Sequence, residues 1–239
     1  MSEWAQKRFW SSADAIDTRN GFTVHLDGRA IKTPAKAALV VPTRALAMAI
    51  AAEWNDQGDK IDPRTMPATR TANAAIDKVK PQFSEVAEMV AAYGDTDLLC
   101  YRATEPQELV ARQKAAWDPF LRWAQTDLGV TLSPIPGLLH RPQSPEALAE
   151  LGRLTFALSD FELAAFHDLV GISGSLILGF AATVNRWTGT ALFEISQLDE
   201  IWQQEQWGSD EDAVAATKVK LTAFLDAKRF YELCRQNDK

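Results

Sequence analysis

The early part of the chain carries the alternating pattern of apolar and polar residues that is typical of strands. The alternation runs from Phe22 to Leu26, and the following Asp27-Gly28 favours a two-residue hairpin turn. A third short strand could run from Ala38 to Val41. These features predict a small sheet near the amino terminus.

Helical spacing replaces this alternation further along the chain. Thr43 is a typical N-cap for a helix from Ala45 to Gln57 that Gly58 closes, and another helix is expected from Thr69 to Val79. From Pro81 onward the pattern is helical almost throughout. The main helices expected there run from Pro106 to Leu128, Glu146 to Ala157, Asp160 to Val184, Leu192 to Trp207 and Asp210 to Arg235.

The change in pattern predicts an α+β protein with two domains. The first, residues 1–80, is expected to be a small β-rich N-terminal domain with a hairpin and packed helices. The second, residues 81–239, is expected to be a larger all-helical C-terminal domain.

One stretch, Leu198 to Trp207, combines aromatic and acidic residues. Wound as a helix at roughly 100° per residue, it places Leu198, Ile201 and Trp202 on one apolar stripe. Glu205 falls within the same stripe, one turn beyond Ile201. A carboxylate in that position must find a partner, lie at the mouth of a groove, or have its pKa raised.

Two interpretations of this stretch remain open from the pattern alone. It is either an ordinary amphipathic helix followed by a solvated acidic run, Ser209 to Asp212, or a partner-binding edge on which Trp207 and the carboxylates face outward. The chain has eight tryptophans, more than one small core needs, so we expect some of them at a surface that another protein covers.

The charge balance narrows the classes of partner. A net charge of −7 and a pI near 5.1 argue against a nucleic-acid-binding protein, because phosphate contacts need clustered Lys and Arg. An acidic protein is better suited to a basic protein partner or a cationic ligand.

Cysteine usage and hydropathy bear on the compartment. Cys100 and Cys234 lie far apart without metal-ligand spacing, which fits a reducing environment. The first twenty residues lack the apolar core of a signal peptide, and their acidic residues argue against a transit peptide. The longest uncharged run, between Asp168 and Arg186, is interrupted by glycines and is too short to span a bilayer. We expect no membrane insertion, and a cytoplasmic location in a bacterium or the mitochondrial matrix if the protein is organellar.

The best candidate for chemistry is the closely spaced pair Asp95 and Asp97. Two carboxylates can act as general acid and base if their pKa values differ, which would suit a small-molecule hydrolase that also uses His25, His140 or His167. Asp residues in such positions also favour turns and helix caps. Neither a phosphate-binding glycine loop nor a metal-ligand spacing accompanies them, so we expect no catalytic residue, metal or cofactor.

Several phrases along the chain together resemble one protein family. They are Arg8-Phe9-Trp10, Gly21-Phe22, Leu26 to Arg29, Lys32 to Pro34, Ile50 to Trp54, Asp62-Pro63, Met66-Pro67, Asn73, Ile76-Asp77, Thr96 to Arg102, Arg112-Gln113, Trp117 to Pro119, Leu198 to Gln203 and Glu205 to Gly208. In this order they resemble the assembly chaperones of the F-type ATP synthase, of the type that binds the α subunit of the catalytic head.

This resemblance implies a non-enzymatic chaperone. It implies that the free α subunit is shielded from aggregation until the β subunit takes over the same surface. It also implies that the acidic helix near the carboxy terminus is the functional region, with an open groove and no cofactor. The expected partner-binding residues are Asp199, Glu200, Gln203, Glu205, Trp207 and Asp210. We expect a monomer, and the hydrolase using Asp95 and Asp97 is the competing hypothesis.

Overall fold

The computed structural model describes residues 7–137, 139–208 and 210–236. Residues 1–6, part of the stretch on which the targeting expectation rests, and Ser209 of the acidic run lie outside the described residues.

The chain forms two compact units. The N-terminal unit contains the described residues up to Phe83, Ser159–Ala165 and those from Arg229 onward; the helical unit contains Ser84–Leu158 and Phe166–Lys228. The expected domain boundary at residue 80 stays a prediction.

The N-terminal unit contains the predicted hairpin. Strands β1 (Ala13–Thr18), β2 (Gly21–Leu26) and β3 (Arg29–Ala30) form an antiparallel sheet in that order. Asp27 and Gly28 have φ values of 46° and 82°, the left-handed conformation that a two-residue hairpin turn requires. The hairpin prediction is therefore confirmed.

The third strand predicted from Ala38 to Val41 is wrong. That segment makes only isolated bridges, Ala38 with Lys32 and Val41 with Phe22, so its backbone pairs are divided between two partners and no ladder forms. The approach to β2 is close, because a Cβ built at Gly21 would lie 2.5 Å from the carbonyl oxygen of Val41. Only glycine fits there, with a φ of 136°.

Helix α1 (Arg44–Asn55) packs against β1 and β2 through its buried apolar face. Thr43 is its N-cap as predicted, and the hydroxyl oxygen accepts a hydrogen bond from the Leu46 amide at 3.2 Å. The helix ends three residues before Gly58, with Asp56 as its C-cap, so the expected glycine closure is wrong.

Helix α2 (Pro67–Ala74) begins earlier than predicted, because a side chain from α1 caps it. The Glu53 carboxylate accepts hydrogen bonds from the amides of Ala68 at 2.6 Å and Thr69 at 2.8 Å. A carboxylate at this end of a helix satisfies free N–H groups and complements the helix dipole. A π turn, Ala75–Val79, continues the helix.

The remaining helices lie in the part of the chain for which the sequence pattern predicts helix. They are α3 (Phe83–Ala91), α4 (Gln107–Trp123), α5 (Pro145–Phe156), α6 (Asp160–Ser173), α7 (Leu176–Ala182), α8 (Gly189–Ser196), α9 (Leu198–Trp207) and α10 (Glu211–Cys234). Two short strands, β4 (Tyr101–Arg102) and β5 (Ile135–Pro136), pair in parallel within the helical unit. The predicted fold class, a small β-rich part followed by a larger helical part, is confirmed.

Two helices that the sequence predicts as continuous are each divided in two. The stretch from Asp160 to Val184 breaks at Gly174, whose φ of 68° ends α6, and the Ser175 hydroxyl oxygen then caps α7 by accepting from the Leu178 amide at 3.0 Å. The stretch from Leu192 to Trp207 breaks at Gln197, which separates α8 from α9.

Helix α4 provides the centre of the helical unit. Trp117, Phe120 and Trp123 are buried, and the rings of Phe120 and Trp123 lie 5.0 and 5.3 Å from that of Trp187. The Trp117 indole donates a hydrogen bond to the Ile195 carbonyl oxygen at 3.0 Å, which connects the end of α8 to α4.

Candidate functional site

Helix α9 forms because its sequence is amphipathic, and its acidic residues suit its first turn. Leu198 is buried, and Asp199 and Glu200 lie where the helix dipole favours negative charge. The helix ends at Gly208, which has a φ of 91°. Glycine adopts this backbone conformation readily, whereas other residues would be strained in it. The predicted end of the helix at Trp207 is confirmed.

Glu205, the acidic residue in the apolar stripe, forms an ion pair with an arginine of another helix. Arg112 of α4 holds the carboxylate through both guanidinium Nη atoms: Nη2 lies 2.9 Å from Oε1, and Nη1 contacts Oε2. The hydrogen bonds from Arg112 lower the pKa of Glu205 because they favour the ionised carboxylate. The alternative of a raised pKa is therefore wrong.

Gln113, the residue after Arg112, connects two parts of the site from a buried position. Its side-chain oxygen accepts from the Ala103 amide at 2.8 Å, and its nitrogen donates to the Asp199 carboxylate at 2.7 Å. Only 2% of Gln113 is exposed. The extended segment that follows β4 and the start of α9 are thus fixed through one amide side chain.

A groove of about 510 Å³ lies between these parts of the helical unit. Its lining residues come from β4 and the segment after it, from α4, and from one side of α9. They are Leu98, Tyr101, Arg102, Ala103, Thr104, Glu105, Pro106, Leu109, Gln113, Gly137, Asp199, Trp202, Gln203 and Trp207. Trp207 stands at its edge with 79% of its surface exposed, which confirms that at least one tryptophan lies at the surface.

The groove unites three of the six predicted partner-binding residues. Asp199, Gln203 and Trp207 line it. The other three are exposed but lie outside the lining: Glu200, Glu205 with its Arg112 partner, and Asp210, whose carboxylate accepts from the Asp212 amide at 3.3 Å.

Neither Arg112 nor Gln113 is among the site residues predicted from the sequence, although both belong to a phrase that carries the family resemblance. Arg112 is 93 residues from Glu205, and Gln113 is 86 residues from Asp199. Helical periodicity reports only contacts within one helix, so these pairings have no local signal.

The competing hydrolase hypothesis depends on Asp95 and Asp97, and the two carboxylates have different partners. Asp97 is fully buried and accepts hydrogen bonds from the amides of Leu99 and Ile177, both at 3.0 Å, and from the Ser175 hydroxyl at 2.8 Å. It caps the 3-10 turn Leu98–Cys100. Burial raises the pKa of Asp97 to about 6, against the opposing effect of these hydrogen bonds.

Asp95 is held in a separate, partly exposed chain of hydrogen bonds. It accepts from the Gln143 amide at 2.7 Å and lies 3.2 Å from His140 Nε2, and His140 Nδ1 lies 3.0 Å from the Tyr101 hydroxyl. Asp97 takes no part in this chain, so its role is that of a helix cap, the alternative that its sequence position favoured.

The remaining expectations concern metal sites and membrane insertion, and they apply here to the part of the chain that the structure describes. Among those residues, no cluster of His, Cys, Asp and Glu has the arrangement of a metal site. No helix of residues 7–137, 139–208 and 210–236 is long and apolar enough to cross a membrane.

Comparisons with known proteins agree with the resemblance. A family model described as ATP12 chaperone protein matches residues 7–125. The mitochondrial protein atp12 of Schizosaccharomyces pombe is 28% identical over 220 residues, which cover 87% of this chain and 75% of that protein.

Solved structures extend the match over almost the whole chain. The crystal structure of Atp12 from Paracoccus denitrificans is 45% identical, with a TM-score of 0.94, and the match covers 98% of this chain and 100% of that one. A protein from Agrobacterium tumefaciens is 38% identical, with a TM-score of 0.87, over 93% of this chain and 85% of that one. The fold and the sequence are thus those of an assembly chaperone. The chain belongs to the ATP12 chaperone family, whose members act in ATP synthase assembly.

Proposed function

We propose that this protein binds the free α subunit of the F-type ATP synthase catalytic head and prevents its aggregation until the β subunit replaces it. The observation that carries the proposal is the groove beside α9, with the exposed indole of Trp207 at its edge. Family membership supplies the setting of ATP synthase assembly, and the groove supplies a surface on which a polypeptide could bind.

The exposed tryptophan supports a protein partner. A ring as large as that of Trp207 is unfavourable in water, and tryptophans with open faces are enriched among the residues that dominate binding energy at interfaces. Trp202 and Tyr101 provide further aromatic surface within the same groove. An unpartnered α subunit exposes apolar surface of its own, and covering it competes with aggregation by mass action.

The charges around the groove support a partner with basic groups. Glu105 and Asp199 line the groove. Glu200, in α9, and Asp210, shortly after α9 in the sequence, are exposed. Arg102, the one arginine among the lining residues, is already paired with Asp118 at 2.9 Å. Such charge complementarity would orient the partner and speed association more than it would raise affinity.

The proposed binding residues remain the six predicted from the sequence. They are Asp199, Glu200, Gln203, Glu205, Trp207 and Asp210. Affinity is expected to be moderate because the β subunit has to displace the chaperone. We also infer that the protein acts without catalysis or a cofactor, as a monomer, in the bacterial cytoplasm or the mitochondrial matrix.

Co-expression with the α subunit tests the proposal. The soluble fraction of α subunit should rise with the wild-type protein, and Trp207→Ala should reduce that rise severalfold. Met89→Ala is the matched control, since Met89 is an exposed apolar residue of α3 and 50% of its surface is exposed.

Charge reversal gives a second arm of the same experiment. Glu200→Lys should weaken protection, whereas Glu88→Lys, at an exposed position of α3, should leave it unchanged. Failure of the wild-type protein to keep α subunit soluble, or to co-purify with it, would contradict the proposal. Equal effects of the site and control variants would show that the binding surface lies elsewhere.

A further inference from the structure

Arg112 makes more than an ion pair with α9. Its guanidinium meets both carboxylate oxygens of Glu205, and its Cζ lies 5.9 Å from the ring centroid of Trp202. A carboxylate that accepts two parallel N–H groups, beside an aromatic face, is the arrangement that recognises a guanidinium group best. The side of α9 that carries Glu205 and Trp202 is therefore a complete arginine-binding site, and a residue of the same chain occupies it.

A second arginine of the helical unit, Arg102, also lies between a carboxylate and an aromatic ring, but it is held there permanently. Arg102 pairs with Asp118, lies 5.4 Å from the Trp117 ring, and donates from Nε to the Leu99 carbonyl oxygen at 2.7 Å. Its side chain is only 12% exposed. Leaving that site would strand a buried charge, so Arg102 is a fixed structural element.

Arg112 lacks those restraints. Its side chain is 38% exposed and that of Glu205 is 48% exposed. An ion pair this open to water contributes little to stability, because water solvates both partners well when they separate. Replacement of Arg112 by another guanidinium would also preserve the contacts that Glu205 and Trp202 make. Exchange of the occupant therefore has a low free-energy cost.

The site adjoins the groove to which the partner is proposed to bind. Trp202 belongs to both, because it lines the groove and also lies beside the Arg112 guanidinium. We propose that Glu205 and Trp202 receive an arginine side chain of the bound polypeptide, and that Arg112 is an internal occupant which this arginine displaces. This inference rests on the proposed function, and it identifies the chemical group that the site recognises.

If Arg112 competes with the partner's arginine, the direction in which its removal changes the binding affinity can be predicted. The partner's arginine must displace Arg112, so the apparent affinity equals the intrinsic affinity multiplied by the fraction of molecules in which Arg112 has left the site. Removing Arg112 should tighten binding. If the ion pair served only to fasten α9 to α4, removing it would loosen the binding surface and weaken binding or leave it unchanged.

The test measures the affinity of purified variants for free α subunit of the F-type ATP synthase. Arg112→Gln should bind about 1.5- to 5-fold tighter than wild type, the range expected for release of an exposed ion pair. Arg122→Gln is the matched control, because Arg122 is an exposed residue of the same helix and the same unit of charge is removed. Arg112→Lys keeps the charge without the two-pronged geometry, so it should give a smaller gain.

The double variant isolates the site itself. Glu205→Gln should weaken binding, and in that background Arg112→Gln should bring no gain, because the site that Arg112 blocks has been removed. Arg112→Gln binding no tighter than Arg122→Gln would overturn the exchange inference while leaving the proposed function intact. Absence of α-subunit binding by the wild-type protein would overturn both.

Discussion

The buried carboxylate of Asp97 should make stability depend on pH in an unusual direction. Burial raises its pKa from the ordinary value of 3.8 to about 6, and the hydrogen bonds from Ile177, Ser175 and Leu99 reduce the shift without cancelling it. The folded state therefore binds a proton more tightly than the unfolded chain. This contribution is greatest at low pH and is lost as the pH rises through the window between the two pKa values.

The size of the effect follows from the width of that window. Between about pH 5 and about pH 7.5 the folded carboxyl loses its proton near pH 6. The unfolded carboxyl has already lost its proton, so the free energy of unfolding should fall by about 1 kcal/mol over this range.

Asp97→Asn provides the reference, because an amide does not titrate in this range. The amide NH₂ would face the Ile177 amide in place of Oδ2, so the variant should be destabilised at every pH by about 1–3 kcal/mol. Urea unfolding followed by circular dichroism at several pH values would give the difference between the two proteins. That difference should shrink by about 1 kcal/mol from pH 5 to pH 7.5. A difference that is constant, or that grows with pH, would show that the three hydrogen bonds outweigh burial.

Two further predictions concern packing and reactivity. Gly179→Ala should lower the free energy of unfolding by about 1–3 kcal/mol, because the new Cβ would lie 2.5 Å from Val170 Cγ2. Gly171→Ala has open space around it and should raise the free energy of unfolding by about 0.5–1 kcal/mol. Urea denaturation of both variants would check that the two changes have opposite signs. Burial raises the pKa of the Cys100 thiol to about 12 and also raises that of Cys234, so neither should react with a thiol reagent in the native protein near pH 8, and both should react in denaturant. Rapid labelling of either thiol without denaturant would contradict this.

Much of the fold could be predicted because it depends on local patterns. The alternation from Phe22 to Leu26 and the Asp27-Gly28 turn determine a hairpin without any distant contact. The apolar spacing of α9 and its end at Gly208 are also local. The break at Gly174 has no clear local signal, because the residues from Leu169 to Val184 include neither a charged residue nor a proline.

The site was less accessible to sequence reasoning. Its residues on α9 could be proposed because an acidic residue in an apolar stripe is a local anomaly, and Glu205 was such a residue. The partner of Glu205 is Arg112 on α4, and nothing in the sequence near Arg112 indicates that it pairs with a carboxylate so distant along the chain. The buried Gln113 likewise acts through partners on two other segments.

The reach of α10 into the N-terminal unit has a consequence for how the protein is made. The hydroxyl of Thr43, at the start of α1, donates at 2.7 Å to the carbonyl oxygen of Leu233, 190 residues later in the chain. Phe230 and Tyr231, buried in the same unit, also come from this last helix. During translation the start of α1 therefore cannot make this contact until the 190 residues after Thr43 have been synthesised. The N-terminal unit thus folds fully only after the helical segments between these two residues have also been made, so its own folding is delayed.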